Sequence, residues 1–231
     1  MLARYAQVFD AVEINSSFYR PHKPQTYARW AASVPESFRF SVKVPKTVTH
    51  DRRLVDPDEA LARFFTEIAE LGPKLGPVLI QLPPSLAFGP DAAAFLGRWR
   101  EHYAGATVLE PRHASWFTAE AQAQLVAARI ARVAADPAVV ADAARPGGWG
   151  GLAYARLHGS PVMYSSAYGD EAVAGVAAML DACSEAAETW CIYDNTRLGA
   201  ATADALVHLH RYSAAENAGA ALEPGTARAR F

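Results

Sequence analysis

Polar and ionisable residues stand at or just after the ends of the short apolar runs of this chain. In chain order they are Glu13 and Asn15, Lys43, Gln81, Glu110, Asp136, Arg156 and His158, and Tyr193 with Asp194 and Asn195. Charged and amide groups are costly in a dry core unless they are paired or hydrogen-bonded. Their recurrence after successive apolar runs is typical of a polar pocket at one end of a set of strands.

Two acidic and two basic residues of this set, together with Arg112, suggest a division of roles. Glu13 and Glu110 are of the type that transfers protons as general acid or base. Lys43, Arg112 and Arg156 would hold an anion, because a guanidinium offers a planar fork to carboxylate or phosphate. Structural alternatives stay open: Glu13 and Lys43 can form an ion pair between neighbouring strands, and Glu110 can form a local charge cluster with Arg112.

Lys43 and His158 each allow more than one functional interpretation. Lys43 would form a Schiff base if burial and neighbouring cations lowered its pKa, but a fixed positive charge for an anionic ligand is the simpler interpretation. Arg156 and His158 are two residues apart and therefore share one face of a strand. Because Arg156 and an aspartate are expected around it, we predict a functional rather than a structural role for His158.

The predicted site has a catalytic set and a ligand-binding set. The catalytic set is Glu13, Lys43, Glu110 and His158; the ligand-binding set is Asn15, Tyr19, Gln81, Arg112, His113, Trp116, Arg156, Tyr193 and Asn195. Aromatic residues such as Tyr19 and Trp116, with Arg and Lys between them, suit the stacking of a sugar or a base.

The residue types do not favour a metal or a cofactor. Glu110, Asp136 and His158 suit a hard divalent ion, but they form no compact ligand motif and the surrounding arginines and lysines would repel a cation. The chain has no glycine-rich phosphate loop, no Walker motif and no Gly-x-Ser-x-Gly elbow. We therefore predict no metal and no cofactor.

Composition places the chain among ordinary globular proteins. Its 231 residues are 51% hydrophobic and 20% charged with a net charge of −2, a balance that neither favours nor excludes nucleic acid. Cys183 and Cys191 match neither a redox pair nor a zinc spacing, and no signal peptide or membrane-spanning run is evident. We expect a cytoplasmic protein with no membrane partner; the oligomeric state is not predictable.

The elements that must position these residues alternate between strand and helix. Apolar patterns predict strands over 11–15, 39–44, 78–82, 107–110, 130–134, 152–157 and 190–194. Helical patterns lie between most of them, a capping box at Asp56 starts the helix that ends near Gly72, and 137–149 is an irregular crossover. Such alternation predicts a parallel sheet, and the spacing suits a TIM-type (β/α)8 barrel.

The number of strands differs from that of a complete barrel. A barrel has eight strands and seven are predicted here, after a leading helix with no strand before it. We therefore predict a barrel domain over 1–212 that lacks its first strand, followed by a disordered tail over 213–231. An open, doubly wound sheet is the alternative.

Five stretches resemble domain-of-unknown-function family 72. They are 12–20, 40–46, 75–84, 110–117 and 154–159, in the family's order and spacing, and the resemblance extends from residue 1 to about 212. The resemblance implies a TIM barrel with a polar pocket at the strand ends and no established reaction. Two departures stand out: nothing like the family's opening Gly-x-Ser-Gly-Trp strand precedes Leu2, and Asp194 stands where the family tends to have an amide, which is expected to weaken an anion site.

These observations lead to three functional hypotheses. The first is an enzyme that acts on a phosphorylated or sugar-like small molecule. The second is a nucleic-acid-binding or repair role, by a fold-level analogy with barrels of the endonuclease IV type. The third is a truncated and inactive family member.

Overall fold

A computed structural model describes residues 1–183, 186–217 and 228–230. The chain divides into two compact units, Met1–Ile130 and Ala131–Phe231. Each unit consists of parallel strands with helices in the connections, so the predicted α/β class with a mostly parallel sheet is confirmed.

The first unit contains four strands and six helices. In chain order they are α1 (Leu2–Tyr5), β1 (Ala11–Ile14), α2 (Ser16–Tyr19), α3 (Pro24–Ala32), β2 (Arg39–Lys43), α4 (Asp58–Ile68), β3 (Leu75–Gln81), α5 (Pro90–His102), β4 (Thr107–Glu110) and α6 (Ala119–Ala127). A π-helix over Thr47–Asp51 and 3-10 helices over Ala69–Lys74 and Ala114–Phe117 complete it.

The strands of the first unit pair in parallel in the order β1-β2-β3-β4. Side chains alternate between the two faces of a strand, and one face is uniformly apolar. Phe40, Val42, Val78, Ile80 and Leu109 lie on that face and belong to one buried core. This apolar face is where the helices pack, as expected for a parallel sheet in an α/β protein.

Three local features of the first unit differ from the sequence-based expectation. Asp56 does not cap α4: the residue before the helix is Pro57, whose side chain makes no capping bond, and Asp56 has a left-handed backbone with φ of 45°. The short helix α2 and the π-helix were not predicted, because four or five residues carry too little periodicity to reveal a helix.

The second unit contains six strands and two helices among its described residues. They are β5 (Ala131–Arg132), β6 (Ala134–Asp136), β7 (Gly147–Gly148), β8 (Leu152–Leu157), α7 (Asp170–Asp181), β9 (Glu188–Tyr193), α8 (Ala200–Asn217) and β10 (Arg228–Arg230). Strands β6, β8, β9 and β10 run parallel in that spatial order, and β5 pairs with β7 in antiparallel orientation.

Two predictions for the second unit need adjustment. The strand predicted over 130–134 is divided into β5 and β6, and the crossover 137–149 contains a 3-10 helix over Ala141–Ala144 besides β7. The last helix continues to Asn217, and Arg228–Arg230 pairs with β9. The rest of the predicted disordered tail lies outside the described residues.

No helix in the described part of the chain combines the length and the apolar character needed to cross a membrane.

A buried lysine secures the C-terminal end of α3. The Lys74 side chain is only 6% exposed, and its Nζ donates to the carbonyl oxygens of Ala31 and Val34, each at 2.9 Å. Glu36 Oε1 lies 3.1 Å from the same nitrogen. Because the last carbonyls of a helix have no partner within it, this ammonium group satisfies acceptors that would otherwise be left buried and unpaired.

Replacing Lys74 by methionine should therefore destabilise the protein. The substitution keeps the apolar stem and removes the donor, so we expect the free energy of unfolding to fall by about 2 kcal/mol. Urea unfolding followed by circular dichroism measures the change. Lys23→Met is the matched control: Lys23 is exposed, and its substitution should change stability by less than about 0.5 kcal/mol. Equal stability of the two variants would contradict this role of Lys74.

Candidate functional site

One face of the four-stranded sheet in the first unit carries the predicted polar residues. The register aligns Glu13 with Ser41, Lys43 with Leu79, and Gln81 with Glu110. Residues aligned in this way, and residues two apart on a strand, point to the same side of a sheet. The structure therefore brings Glu13, Lys43, Gln81 and Glu110 together at the carboxyl ends of β1 to β4, opposite the apolar core.

Glu110 is fully buried and is held by an arginine two residues further along. Arg112 Nε lies 2.6 Å from Glu110 Oε1, and Arg112 Nη2 lies 2.5 Å from the same oxygen. Arg112 lies two residues after the end of β4, and its guanidinium reaches back to the Glu110 carboxylate. Charge-assisted bonds of this length are strong, and they fix the carboxylate as a hydrogen-bond acceptor at the polar face.

Lys43 ends β2 and lies against an aromatic ring of α2. Its Nζ is 4.3 Å from the centre of the Phe18 ring, and the residue is 7% exposed. Ser17 holds α2 in this position, because its hydroxyl donates to the carbonyl oxygens of Ile14 at 2.9 Å and Lys43 at 2.7 Å. The cation–π contact accommodates a buried ammonium group without removing its positive charge.

The pKa of His50 is affected by the positive charges of this region. It lies in the π-helix that follows β2, with its ring 4.9 Å from that of Phe18 and its Nδ1 2.8 Å from Thr49 Oγ1. Burial lowers the pKa of His50 below 6.5; the cations of Lys43, Lys46 and Arg112 lower it further, whereas Asp51 raises it. The carboxyl ends of β2 and β4 therefore form an electropositive cluster, defined here as Lys43, Lys46, His50 and Arg112.

Asn15 contributes an acceptor beside this cluster. It follows β1, and its Oδ1 is buried with no hydrogen-bond partner among the described residues. A buried amide oxygen without a partner is rare and costs free energy unless water or a ligand donates to it. A hydroxyl or amino group of a ligand would satisfy it.

The second unit has its own buried polar set at the end of β8. Arg156 and His158 are both fully buried, and each lies 3.2 Å from Asp194 Oδ2, through Nη2 and Nδ1 respectively. The Arg156 Nη1 atom faces His158 Nε2 at 3.4 Å. Because a guanidinium can only donate, His158 Nε2 must be the acceptor and Nδ1 must carry the proton. Both ring nitrogens thus have defined partners, which favours a positioning role over proton transfer.

Asn195 is fixed by acceptors on both of its amide hydrogens. Its Nδ2 donates to Asp204 Oδ2 at 2.6 Å and to the Ser166 carbonyl at 2.9 Å, and the residue is fully buried. These acceptors determine the orientation of the amide. Its Oδ1 consequently has no hydrogen-bond partner in the described part of the chain.

Tyr193 and Asp136, two candidates of the second unit, lie on the face of the sheet opposite to Arg156. Tyr193 is aligned with Leu157 and Asp136, one residue out of phase with Arg156. The Tyr193 hydroxyl lies 3.0 Å from His208 Nδ1 of α8, and Tyr168 donates to Asp136 at 2.5 Å. Burial raises the pKa of Tyr193 and lowers that of His208 to about 4. The structure therefore does not bring Tyr193 together with Arg156 and His158.

Three further candidates of the first unit have different environments. Trp116 is fully buried and belongs to the core, where its Nε1 donates to the Leu86 carbonyl at 3.0 Å. His113 precedes a 3-10 helix, and its Nδ1 accepts from the Ser115 amide at 3.2 Å. Tyr19 is the last residue of α2 and is 72% exposed.

Several residues that surround Lys43 were not among the predicted site residues. Phe18, Lys46 and His50 lie close to Lys43 only because α2 and the π-helix fold over the end of β2. Their nearness in sequence to Asn15 and Lys43 was the only available signal. Among the described residues, no group of three or more His, Cys, Asp or Glu side chains could hold a metal ion.

The shared carboxylate of Asp194 suggests a stability test. Asp194→Asn removes the negative charge opposite the buried Arg156 guanidinium, so we expect the free energy of unfolding to decrease by about 2 kcal/mol. Asp170→Asn is the control, because Asp170 is 82% exposed and pairs loosely with Arg211 at 3.6 Å. Denaturant titrations of both variants give the comparison. A fully stable Asp194→Asn protein would show that the carboxylate does not stabilise Arg156.

Solved structures share this fold. A DUF72 family protein from Enterococcus faecalis V583 superposes with a TM-score of 0.82 at 21% identity, covering 92% of this chain and 93% of that one. A DUF72 family protein from Thermotoga maritima MSB8 gives a TM-score of 0.77 at 25% identity, covering 89% and 85%.

Curated relatives match over a shorter stretch. UPF0759 protein YecE of Escherichia coli K12 is 32% identical over 118 residues, which are 50% of this chain and 43% of the relative. UPF0759 protein YunF of Bacillus subtilis 168 is 33% identical over 125 residues, 51% of this chain and 44% of the relative. The matches thus span less than half the length of these relatives. The family model "Protein of unknown function DUF72" matches residues 1–229, and the chain belongs to this family.

Proposed function

We propose that the protein is an enzyme that binds a small anionic molecule, phosphorylated or sugar-like, at the carboxyl ends of β1 to β4. The observation that carries the proposal is the register that places Glu13, Lys43, Gln81 and Glu110 on one face of the sheet. Active sites of parallel α/β proteins are built at this end of the strands.

The charges favour an anion as the ligand. Lys43, Lys46 and Arg112 all depress the pKa of His50, so each of them contributes positive potential at one place. A negatively charged ligand would relieve the mutual repulsion of these groups. Gln81 and the buried oxygen of Asn15 offer hydrogen bonds to hydroxyl groups, which suits a sugar-like carbon skeleton.

The two carboxylates suit proton transfer, and the basic groups suit binding. Glu110, fixed by Arg112, would accept a proton or a hydrogen bond from a substrate hydroxyl, and Glu13 would be the second acid or base. Lys43 would act as a fixed positive charge. Within the second unit, Arg156 would hold an anionic group of its own, and His158 would position the Arg156 guanidinium.

Loss of the Lys43 charge should weaken binding. Thermal shift assays with hexose phosphates, free hexoses and inorganic phosphate identify stabilising compounds, and calorimetry gives their affinities. Lys43→Met should weaken the binding of the phosphorylated compounds tenfold or more, with the melting temperature nearly unchanged.

Lys23→Met is the control for this test and should bind like the parent protein. A collapse in the stability of Lys43→Met would instead favour a structural ion pair. Stabilisation only by single-stranded DNA, with a steep salt dependence, would favour the nucleic-acid alternative.

Titration of His50 tests the electropositive cluster without any ligand. We expect its pKa to lie below 6.5 in the parent protein and to rise in Lys43→Met, because that substitution removes one of the depressing cations. Histidine NMR signals followed across pH 4.5–8 measure both values, an interval chosen around the ordinary pKa of about 6.5. Lys23→Met should leave the pKa unchanged. An equal pKa in all three proteins would mean that Lys43 does not act on His50.

We also propose that the strands belong to a TIM-type barrel. The repeated strand-then-helix order supports this, as does the parallel pairing within each unit. The polar residues at the carboxyl ends of the strands are in the positions that such barrels use for catalysis.

A reducing compartment such as the cytoplasm is proposed as the place of action. Cys183 and Cys191 are both free thiols, and burial raises the pKa of Cys191 to about 12. Thiols of this kind are chemically inert and compatible with a reducing environment.

A further inference from the structure

A second concave feature lies within the first unit, beside the electropositive cluster. It is a pocket of about 270 Å³ between α2, the π-helix and α4. Its walls include Phe18 and Tyr19 from α2, and Phe64 from α4. We refer to it as the Phe18 pocket.

Basic side chains outnumber acidic ones in this pocket. Arg20, Lys46, Arg52 and Arg63 line it together with Glu59 and Glu67. If all six are ionised, the lining carries two more positive than negative charges. Such an excess of cations in a concave site favours a dianion, because the walls exclude part of the water that would screen it.

The existing contacts leave much of this positive charge available. Arg63 is neutralised, since its Nε donates to Glu67 at 2.9 Å. Lys46 pairs only loosely with Asp51, at 3.5 Å. Arg52 Nη1 donates to the carbonyl oxygen of Asp56 at 2.8 Å, which orients the guanidinium without cancelling its charge.

Arg20 and Arg52 are the groups with the most capacity to bind a ligand. The Arg20 side chain makes no hydrogen bond and no ion pair within the described residues. Two guanidinium groups at one pocket offer the paired donors that phosphate oxygens accept. The two residues directly after Arg52 have a left-handed backbone, with φ of 51° at Arg53 and 70° at Leu54.

Size and lining indicate that the ligand is larger than a free phosphate ion. A volume of about 270 Å³ corresponds to about nine water molecules at roughly 30 Å³ each, whereas a phosphate ion replaces far fewer. The rings of Phe18 and Phe64 offer an apolar surface to the carbon part of a ligand, as sugar rings commonly require.

The pocket is connected to the electropositive cluster through shared residues. Phe18 lines the pocket and also contacts Lys43 and His50. Lys46 lines the pocket and lies close enough to His50 to affect it. A ligand in the pocket would therefore lie close to Lys43, to which the proposed function assigns the fixed positive charge.

We propose that the Phe18 pocket is a phosphate subsite in which Arg20, Arg52 and Lys46 hold the phosphoryl group of a sugar phosphate. This inference rests on the proposed function and deepens it by naming the substrate class as phosphomonoesters of sugars. The polar face at β1 to β4 then receives the remainder of the molecule.

The test measures the binding of inorganic phosphate, glucose 6-phosphate and glucose by calorimetry at constant ionic strength in chloride. The parent protein should bind glucose 6-phosphate and, more weakly, inorganic phosphate. The double variant Arg20→Gln/Arg52→Gln should lose at least tenfold in affinity for both phosphates. Arg29→Gln is the matched control, because Arg29 is an exposed arginine of α3 that does not line the pocket.

The outcomes separate this subsite from the proposed function. If the double variant binds both phosphates as well as Arg29→Gln does while Lys43→Met loses them, the subsite is overturned and the proposed function stands. If the double variant loses them and Lys43→Met does not, the subsite stands and the assigned role of Lys43 fails. The subsite is overturned if the parent protein binds neither inorganic phosphate nor glucose 6-phosphate. If it binds inorganic phosphate and not glucose 6-phosphate, sugar phosphates of the glucose 6-phosphate type are excluded as the ligand.

Discussion

The alternation of side chains along the paired parallel strands is the constraint on which the first unit depends. It sends Phe40, Val42 and Ile80 to the helix-covered side and Lys43 and Glu110 to the other. A shift of one residue in any strand would exchange these two sets and would bury charges against the helices. The same register therefore maintains both the core and the polar face.

Buried charges on such a face persist only when they are compensated. Glu110 has its partner two residues away in Arg112, so that β4 and the segment that follows it supply both members of the pair. In the second unit, Asp194 lies between Arg156 and His158 and compensates the buried guanidinium. The aspartate that the family resemblance marks as a departure is thus integrated into the hydrogen bonding of this chain, instead of being an isolated negative charge.

The segments that follow the strands add the features that distinguish this site. Ser17 attaches α2 to the end of β2, which places Phe18 against Lys43. The π-helix after β2 places the His50 ring against the same Phe18 ring. π-Helical turns occur frequently at functional sites. The concentration of positive charge and the Phe18 pocket both arise from the segments that follow the strands.

The sequence by itself determined the main alternation of strands and helices, the parallel class and the main polar positions. These follow from local periodicity and from the placement of Glu13, Lys43, Gln81, Glu110 and Arg156 at the ends of apolar runs. Periodicity is local, so it is readable in a single chain.

Only the tertiary structure decided which of the predicted residues meet. Trp116 lies in the core, His113 caps a 3-10 helix, and Tyr193 contacts His208 of α8, although each of the three was predicted to bind a ligand. Tyr193 shows the reason: its strand position is one residue out of phase with Arg156, and the phase of a strand depends on the pairing with its neighbours. Contacts between distant segments, such as Asn195 with Asp204, carry no local signal and are set by packing alone.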